Sequence, residues 1–318
     1  MEQNRWLSRV FTVDSGTHPP FEPKVLEETH EYKIWIDGLG ATRKDFKVLP
    51  TPGFVTRSWL EFPVKDRAGF LAMKKRFDAT SPGRYVDPAH REEMLRRFRN
   101  RDYPMCWVIF GLFWVIRDWV GFETACTWFV DEPKLVDEMM EFLKDYACEL
   151  IDRALADVSP TLDCVIISED MAYKTASMIS PAMVRRFMLP RYREIVARLR
   201  RHGVENIFCD CDGHVDELIP IWLDAGINGA YPIEIAAGCD PVKYRREYGK
   251  DLRMIGGIDK REIAKGPRAI EREVMGKVPF LLESGGYAPG IDHACPPDVS
   301  LDNFRHFIDF LRKVGGRT

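Results

Sequence analysis

From residue 104 onward the chain repeats one pattern: a short apolar run, a polar turn, then a stretch with helical spacing of apolar residues. The runs are "PMCWVIFG", "TLDCVIISED", "ENIFCDCDG", "NGAYPIE", "LRMIGG" and "PFLLESGG", each read as a buried strand. The longest helical stretch, "DEPKLVDEMMEFLKDYACELIDRALAD", sets Leu135, Met139, Phe142, Leu143, Leu150 and Leu155 on one side. "SPAMVRRFMLPRYREIVARLRRHG" has Ser180 as its cap and Pro181 in its first turn, with an interruption at Pro190 and a stop at Gly203. "VDELIPIWLDAG", "DPVKYRREYG", "DKREIAKGPRAIEREVMGKV" (in two pieces) and "SLDNFRHFIDFLRKV" supply the remaining helices. A strand that returns parallel to its predecessor needs a long crossover, and a helix supplies it. Strictly alternating strand and helix therefore means a parallel sheet. Six such units behind an N-terminal region fit an α/β (β/α)8 barrel better than a short doubly wound sheet.

The first part of the chain reads differently. "EYKIWIDGLGATRKDFKVL" is a hairpin turning at Asp37, Gly38 and Gly40. "FPVKDRAGFLAMKKRFD" is a short helix, and "DPAHREEMLRRFRNRD" is another, capped by Asp87 with Pro88 at its first position. The expected organisation is one domain over 1–318, with residues 1–80 as hairpin and helices and 81–318 as the β/α units. No G-x-G-x-x-G or phosphate loop follows any strand, and "GLGATRK" reads as the hairpin turn. A net charge of −3 with no basic stripe argues against nucleic acid as a partner. No apolar run is long enough for a membrane span, and "MEQNRWLSRVF" lacks the features of a signal peptide, so a cytoplasmic location is expected. The eight cysteines are scattered with no C-x-x-C pair, which suits reduced, partly buried thiols.

In a barrel, chemistry sits at the C-terminal strand ends and the loops after them. Those ends carry Asp118, Glu169, Asp170, Asp210, Asp212, Glu234, Asp259 and Asp292. Asp240 and Asp259 read as helix caps. In "IFCDCDGH", strand alternation sets Cys209 and Cys211 on one face and Asp210 and Asp212 on the other. The thiols suit an apolar interface. Two carboxylates facing a barrel mouth need a proton, a metal or a cation beside them. His214, past Gly213, reads as a loop residue. The last loop gathers Tyr287, Asp292, His293 and Cys295, with His293 as a functional candidate. Trp114, Tyr173 and Tyr287 are the aromatic candidates for substrate binding. "CWVIFGLFWVIRDWVGF" reads equally as pocket lining or as core.

Three segments in matching order and spacing resemble the uroporphyrinogen decarboxylase superfamily. "GLFWVIRDWVGFE" is similar to its "G-x-F-T-L-A-x-Y-x-x-G" segment, "MISPAMVRRFMLPRYREIV" to its Ser-Pro helix, and "HACPPDVSLDNF" to its closing "HGILPDTPxEN" segment. The resemblance implies the (β/α)8 barrel. It implies either decarboxylation, a lyase reaction without a cofactor, or the methyl transfer of the corrinoid-linked and coenzyme-M-type members. The decarboxylase's arginine-rich "P-x-W-x-M-R-Q-A-G-R" segment has no counterpart here, and the family tyrosine falls on Asp118. The loop histidine matches His293. Where the zinc methyltransferases carry His-x-Cys, this chain has Asp210 and Asp212, and their loop cysteine falls near His293.

The resemblance thus implies a divalent metal, zinc among the choices, on Asp210, Asp212 and His293, with a corrinoid protein as partner and a small methylated or methyl-accepting substrate. Glu234, Glu169, Asp118 and Asp170 are the further acid/base candidates. In the decarboxylase reading Asp210 or Asp212 stabilises pyrrole nitrogens and His293 positions a carboxylate. A non-catalytic binding barrel is the third reading. A homodimer is common in the resembled family. The family's usual first segment, containing "PDRVP", has no counterpart, so the expected barrel either has an incomplete first strand or takes it from "SRVFTV" at 8–13.

Overall fold

The computed structural model describes residues 13–47, 57–85, 87–156 and 162–316. The proposed first strand at 8–13 therefore lies almost wholly outside the described residues.

The N-terminal hairpin forms as expected and extends into an antiparallel meander of four strands: β1 (Lys24–Glu28), β2 (Tyr32–Ile36), β3 (Thr42–Phe46) and β4 (Arg57–Glu61). Asp37 fixes its central turn, its Oδ1 accepting from Leu39 N at 2.9 Å and Ala41 N at 3.1 Å. Helix α1 (Arg67–Lys74) follows, and then α2 (Pro88–Arg99), where Asp87 accepts from Ala89 N as the sequence suggests.

The first strand of the repeating part is β5 (Cys106–Phe110). Next come α3 (Leu112–Val120) and α4 (Phe122–Asp131), which correct the reading of "GLFWVIRDWVGFE" as a strand-end loop. Leu112, Phe113, Val115, Ile116, Trp119 and Val120 are buried along α3, so a wide apolar face rather than a narrow stripe drives this helix inward. Helix α5 (Pro133–Leu155) buries Leu135, Met139, Leu143, Leu150 and Leu155 and leaves Phe142 half-buried. Strand β6 (Cys164–Ser168) pairs in parallel with β5. The expected break at Pro190 is a local adjustment instead. A short α6 (Pro181–Met183) passes through a π-helical turn, Val184–Met188, into α7 (Leu189–Arg201). The wider turn accommodates a proline that cannot donate to the helical ladder.

Strand β7 (Ile207–Asp210), α8 (Ile219–Ala225), β8 (Gly229–Ile233), α9 (Pro241–Tyr248), β9 (Arg253–Ile258), α10 (Lys260–Ala264) and α11 (Pro267–Met275) follow in the expected order. Asp240 and Asp259 do cap their helices, accepting from Val242 N and Arg261 N. "PFLLESGG" is not a strand. It forms α12 (Val278–Glu283), with Val278 and Leu281 buried at helical spacing, because a short apolar run carries no period that separates strand from helix. The sixth strand is instead β10 (Tyr287–Ile291), leading to α13 (Leu301–Val314).

The α/β class with six parallel strand–helix units thus stands. By contacts the chain divides into two compact units, Met1–Glu169 with Met183–Glu205, and Asp170–Ala182 with Asn206–Thr318. In the second, β7, β8, β9 and β10 pair successively in parallel. Among the described residues no helix is long and apolar enough to cross a membrane.

Candidate active site

In the second unit the C-terminal ends of β7 and β10 each deliver one polar side chain. Asp212 stands two residues past β7 and His293 two residues past β10. Their side chains share a hydrogen bond, His293 Nε2 to Asp212 Oδ2, at 3.0 Å. Both are partly open to solvent, at 34% and 41% exposure. The bond to Asp212 holds the imidazole above its ordinary pKa, with burial opposing.

Asp210, the last residue of β7, is half-buried beside this pair in sequence, while Cys209 and Cys211 are fully buried. The expected split of "CDCD" into a packing face and a polar face is therefore present. Cys211 Sγ accepts from Met171 N at 3.2 Å. Asp210 is level with Tyr231 in the β7–β8 ladder. The Tyr231 phenol is pushed up to about 12, first by burial and then by the charges of Asp210 and Asp212. Asp170 has a positive φ of 42° and donates its N–H to Asp210 O at 3.1 Å. The loop it opens exposes Tyr173, and Tyr173 O accepts from His214 N at 2.8 Å. Gly213 makes this docking possible: its φ is +90°, and a Cβ there would stand 2.6 Å from Tyr173 O.

Glu234 links the two strand ends to a cation. Its Oε2 accepts from Gly213 N at 2.9 Å, and its Oε1 lies 3.5 Å from Lys260 Nζ. Lys260 Nζ is also 3.7 Å from Asp292 Oδ1. Asp292 has no exposed surface and accepts from Ile235 N at 3.0 Å and Lys260 N at 3.1 Å. Burial pushes its carboxyl up. Asp292 is thus the brace that fixes the β10 end against α10, and His293 takes its position from it.

Sequence reasoning passed over Lys260 and Tyr231. A lysine at the first position of a helix is the signal for Lys260, since the helix N-terminus repels a cation unless carboxylates hold it. Tyr287 is at the opposite end of β10 from His293. It is buried, and its hydroxyl donates to Gly256 O at 2.9 Å, so the structure does not bring it to this group.

Asp212 and His293 offer oxygen and nitrogen donors at a spacing close to the ~3.3 Å between two ligands of one tetrahedral ion with bonds near 2.0 Å. These two are hard, thiolate-free donors of the types that suit a divalent metal. Among the described residues, three donor atoms gather within 4.8 Å at a different place, His214, Asp216 and Cys239. There each group is already engaged: His214 Nδ1 with Ala237 O, Asp216 with Lys243 and the Tyr244 hydroxyl, Cys239 Sγ with Gly213 O.

The remaining candidates are in the first unit. Glu169 is fully buried, one residue past β6. Its Oε1 accepts from Leu112 N at 2.7 Å and from the Tyr192 hydroxyl, and its Oε2 from Phe113 N at 2.9 Å and Trp114 N at 3.1 Å. These are the N–H groups that a helix start leaves unpaired. Glu169 caps α3 from the end of β6, and the Tyr192 hydroxyl of α7 is its remaining partner. Burial pushes it up to about 7 against the four donors. Gly111 admits it, since a Cβ there would meet Glu169 Cδ at 2.5 Å. Asp118 and Trp114 are one turn apart on α3. Burial raises Asp118 to about 6, with Arg117 and a hydrogen bond from Trp114 opposing.

The family model for uroporphyrinogen decarboxylase (URO-D) matches residues 93–314. No curated protein matches the sequence. Among solved structures, a methyltransferase from Methanosarcina mazei aligns with a TM-score of 0.56 at 18% identity, over 81% of this chain and 72% of that one. At that identity the likeness is one of fold.

Proposed function

Given that this chain belongs to the uroporphyrinogen decarboxylase family, we propose that it is an enzyme transferring a methyl group to or from a small substrate at the ends of β7 and β10. The observation that carries this reading is the Asp212–His293 pair: two functional groups from separate strand ends, joined at 3.0 Å and open to solvent. The methyltransferase fold neighbour supports the reading at the level of fold. Asp210, Asp212 and His293 would hold a divalent metal, which supplies Lewis-acid polarisation of the substrate's oxygen or sulfur. Without the metal, His293 and Asp212 share the site's exchangeable proton; with the metal held, both would act as its ligands. Glu234 sets the position of Gly213, and Lys260 balances the carboxylates around it. A corrinoid protein is the proposed second partner, following the family resemblance.

A second reading, decarboxylation of a carboxylic acid, has one observation in its favour. Lys260, and His293 when protonated, are two groups near Glu234 and Asp292 that would hold a substrate carboxylate. One experiment separates the readings. The protein is incubated with reduced cobalamin and a panel of methyl ethers, thiols and amines, and separately with uroporphyrinogen. Methylcobalamin formation that is lost in His293→Ala supports methyl transfer. Carbon dioxide release without any methylcobalamin supports the second reading and removes the first.

A further inference from the structure

In the first unit, far apart in sequence, Cys106 and Cys164 open two neighbouring parallel strands and stand directly opposite each other in register. Adjacent strands run about 4.8 Å apart, inside the 4.4–6.8 Å span of Cα atoms that a disulfide bridges. Their sulfurs are 2.6 Å apart, nearer than the ~3.5–4.0 Å at which non-bonded heavy atoms rest. The strand starts are clamped: Met105 N donates to Asp163 Oδ2 at 2.6 Å, and Asp163 N and Cys164 N both donate to Met105 O. We propose that Cys106 and Cys164 form a dithiol–disulfide pair, oxidised by a low-molecular-weight disulfide and reduced again by a thiol.

The step is balanced. The Cys106 thiolate attacks one sulfur of the small disulfide and releases one small thiol, leaving a mixed disulfide on Cys106. The Cys164 thiolate then attacks the Cys106 sulfur and expels the second small thiol. Two protein S–H bonds are lost, one protein S–S bond forms, and both protons leave on the reduced oxidant. Either thiol can take the first role, since the two contact each other symmetrically and either can donate to the other. Arg101 is fixed near the strand start by Asp163. At 4% and 7% exposure both thiols are sheltered, so oxidation of the folded protein is slow.

Trypsin isolates the two cysteines cleanly, in peptides 102–117 and 154–174 with one cysteine each. The full chain is equilibrated with oxidised glutathione, alkylated after denaturation, and digested without reductant. A second sample is refolded from the reduced, unfolded state in the same buffer, which removes burial as an obstacle. The expected result is a linked 102–117/154–174 species, two hydrogens lighter than the free pair, in both samples. It disappears with reductant and in Cys106→Ser. Full alkylation of both cysteines in both samples, or links that join either one chiefly to another cysteine, would overturn the proposal.

Discussion

Asp212 Oδ2 and His293 Nε2 meet at 3.0 Å although β8 and β9 lie between their strands. In a flat sheet three strand spacings would hold them roughly 14 Å apart. Both residues stand two positions past their strand ends, and the loops after β7 and β10 lean toward each other to bring the two side chains together.

The pair's contribution should be to activity, not stability. Both side chains are a third or more exposed, so the ion pair is worth at most about 1 kcal/mol. His293→Ala and Asp212→Asn are expected to keep the melting temperature within a few degrees. Each should lower kcat/KM by at least ~100-fold, the usual range for a lost acid/base or metal-holding group. Equal losses of stability and activity would show the pair to be a brace.

Glu169 should behave in the opposite way. Truncation to Ala strands three buried N–H groups and the Tyr192 hydroxyl, each worth about 1–3 kcal/mol when left unsatisfied. Glu169→Ala is expected to unfold at much lower denaturant concentration, read by circular dichroism.

The pH dependence of stability follows from two buried acids. Glu169 at about 7 and Asp118 at about 6 lie above their unfolded values, so the native state binds more protons than the unfolded chain between those limits. Their contribution is complete below about pH 4, the unfolded range. It is lost as the pH rises through 6 and 7. Stability should therefore decline from pH 5 to pH 8, and Glu169→Gln should flatten that decline. A rise over the same interval in wild type, unaltered by Glu169→Gln, would contradict the assignment.

Lys260→Ala removes the cation between Glu234 and Asp292. The buried Asp292 loses its charge partner at 3.7 Å but keeps its two backbone donors, so a loss of about 1–3 kcal/mol is expected in chemical denaturation. The same change should raise the His293 pKa further, because Lys260 opposes protonation there. Proton NMR of the His293 ring would register that shift.

Much of this was legible in the sequence because helices and strands announce themselves by period and by punctuation. Asp240 and Asp259 were recognisable as caps, and alternation separated Cys209 and Cys211 from Asp210 and Asp212. "PFLLESGG" was not legible, since four apolar residues fit either period. That error moved the last strand and with it Tyr287, which belongs to the buried start of β10. Glu169 could not be told from a catalytic acid, because its partners Leu112, Phe113, Trp114 and Tyr192 are distant in sequence. Cys106 and Cys164 met for the same reason, through strand register and not through spacing.

The central claim is that Asp212 and His293 form the reactive, metal-holding centre. In the metal-free protein a proton lies between Nε2 and the carboxylate, so a metal entering there must displace it. Calorimetric titration of the chelator-treated protein with zinc, cobalt and manganese, in two buffers of different ionisation enthalpy, measures stoichiometry and proton release together. The account predicts about one ion per chain for at least one of these metals, with release of about one proton, and loss of binding in His293→Ala at unchanged fold. No binding by the wild type, or equal binding by His293→Ala and Asp212→Asn, would contradict it.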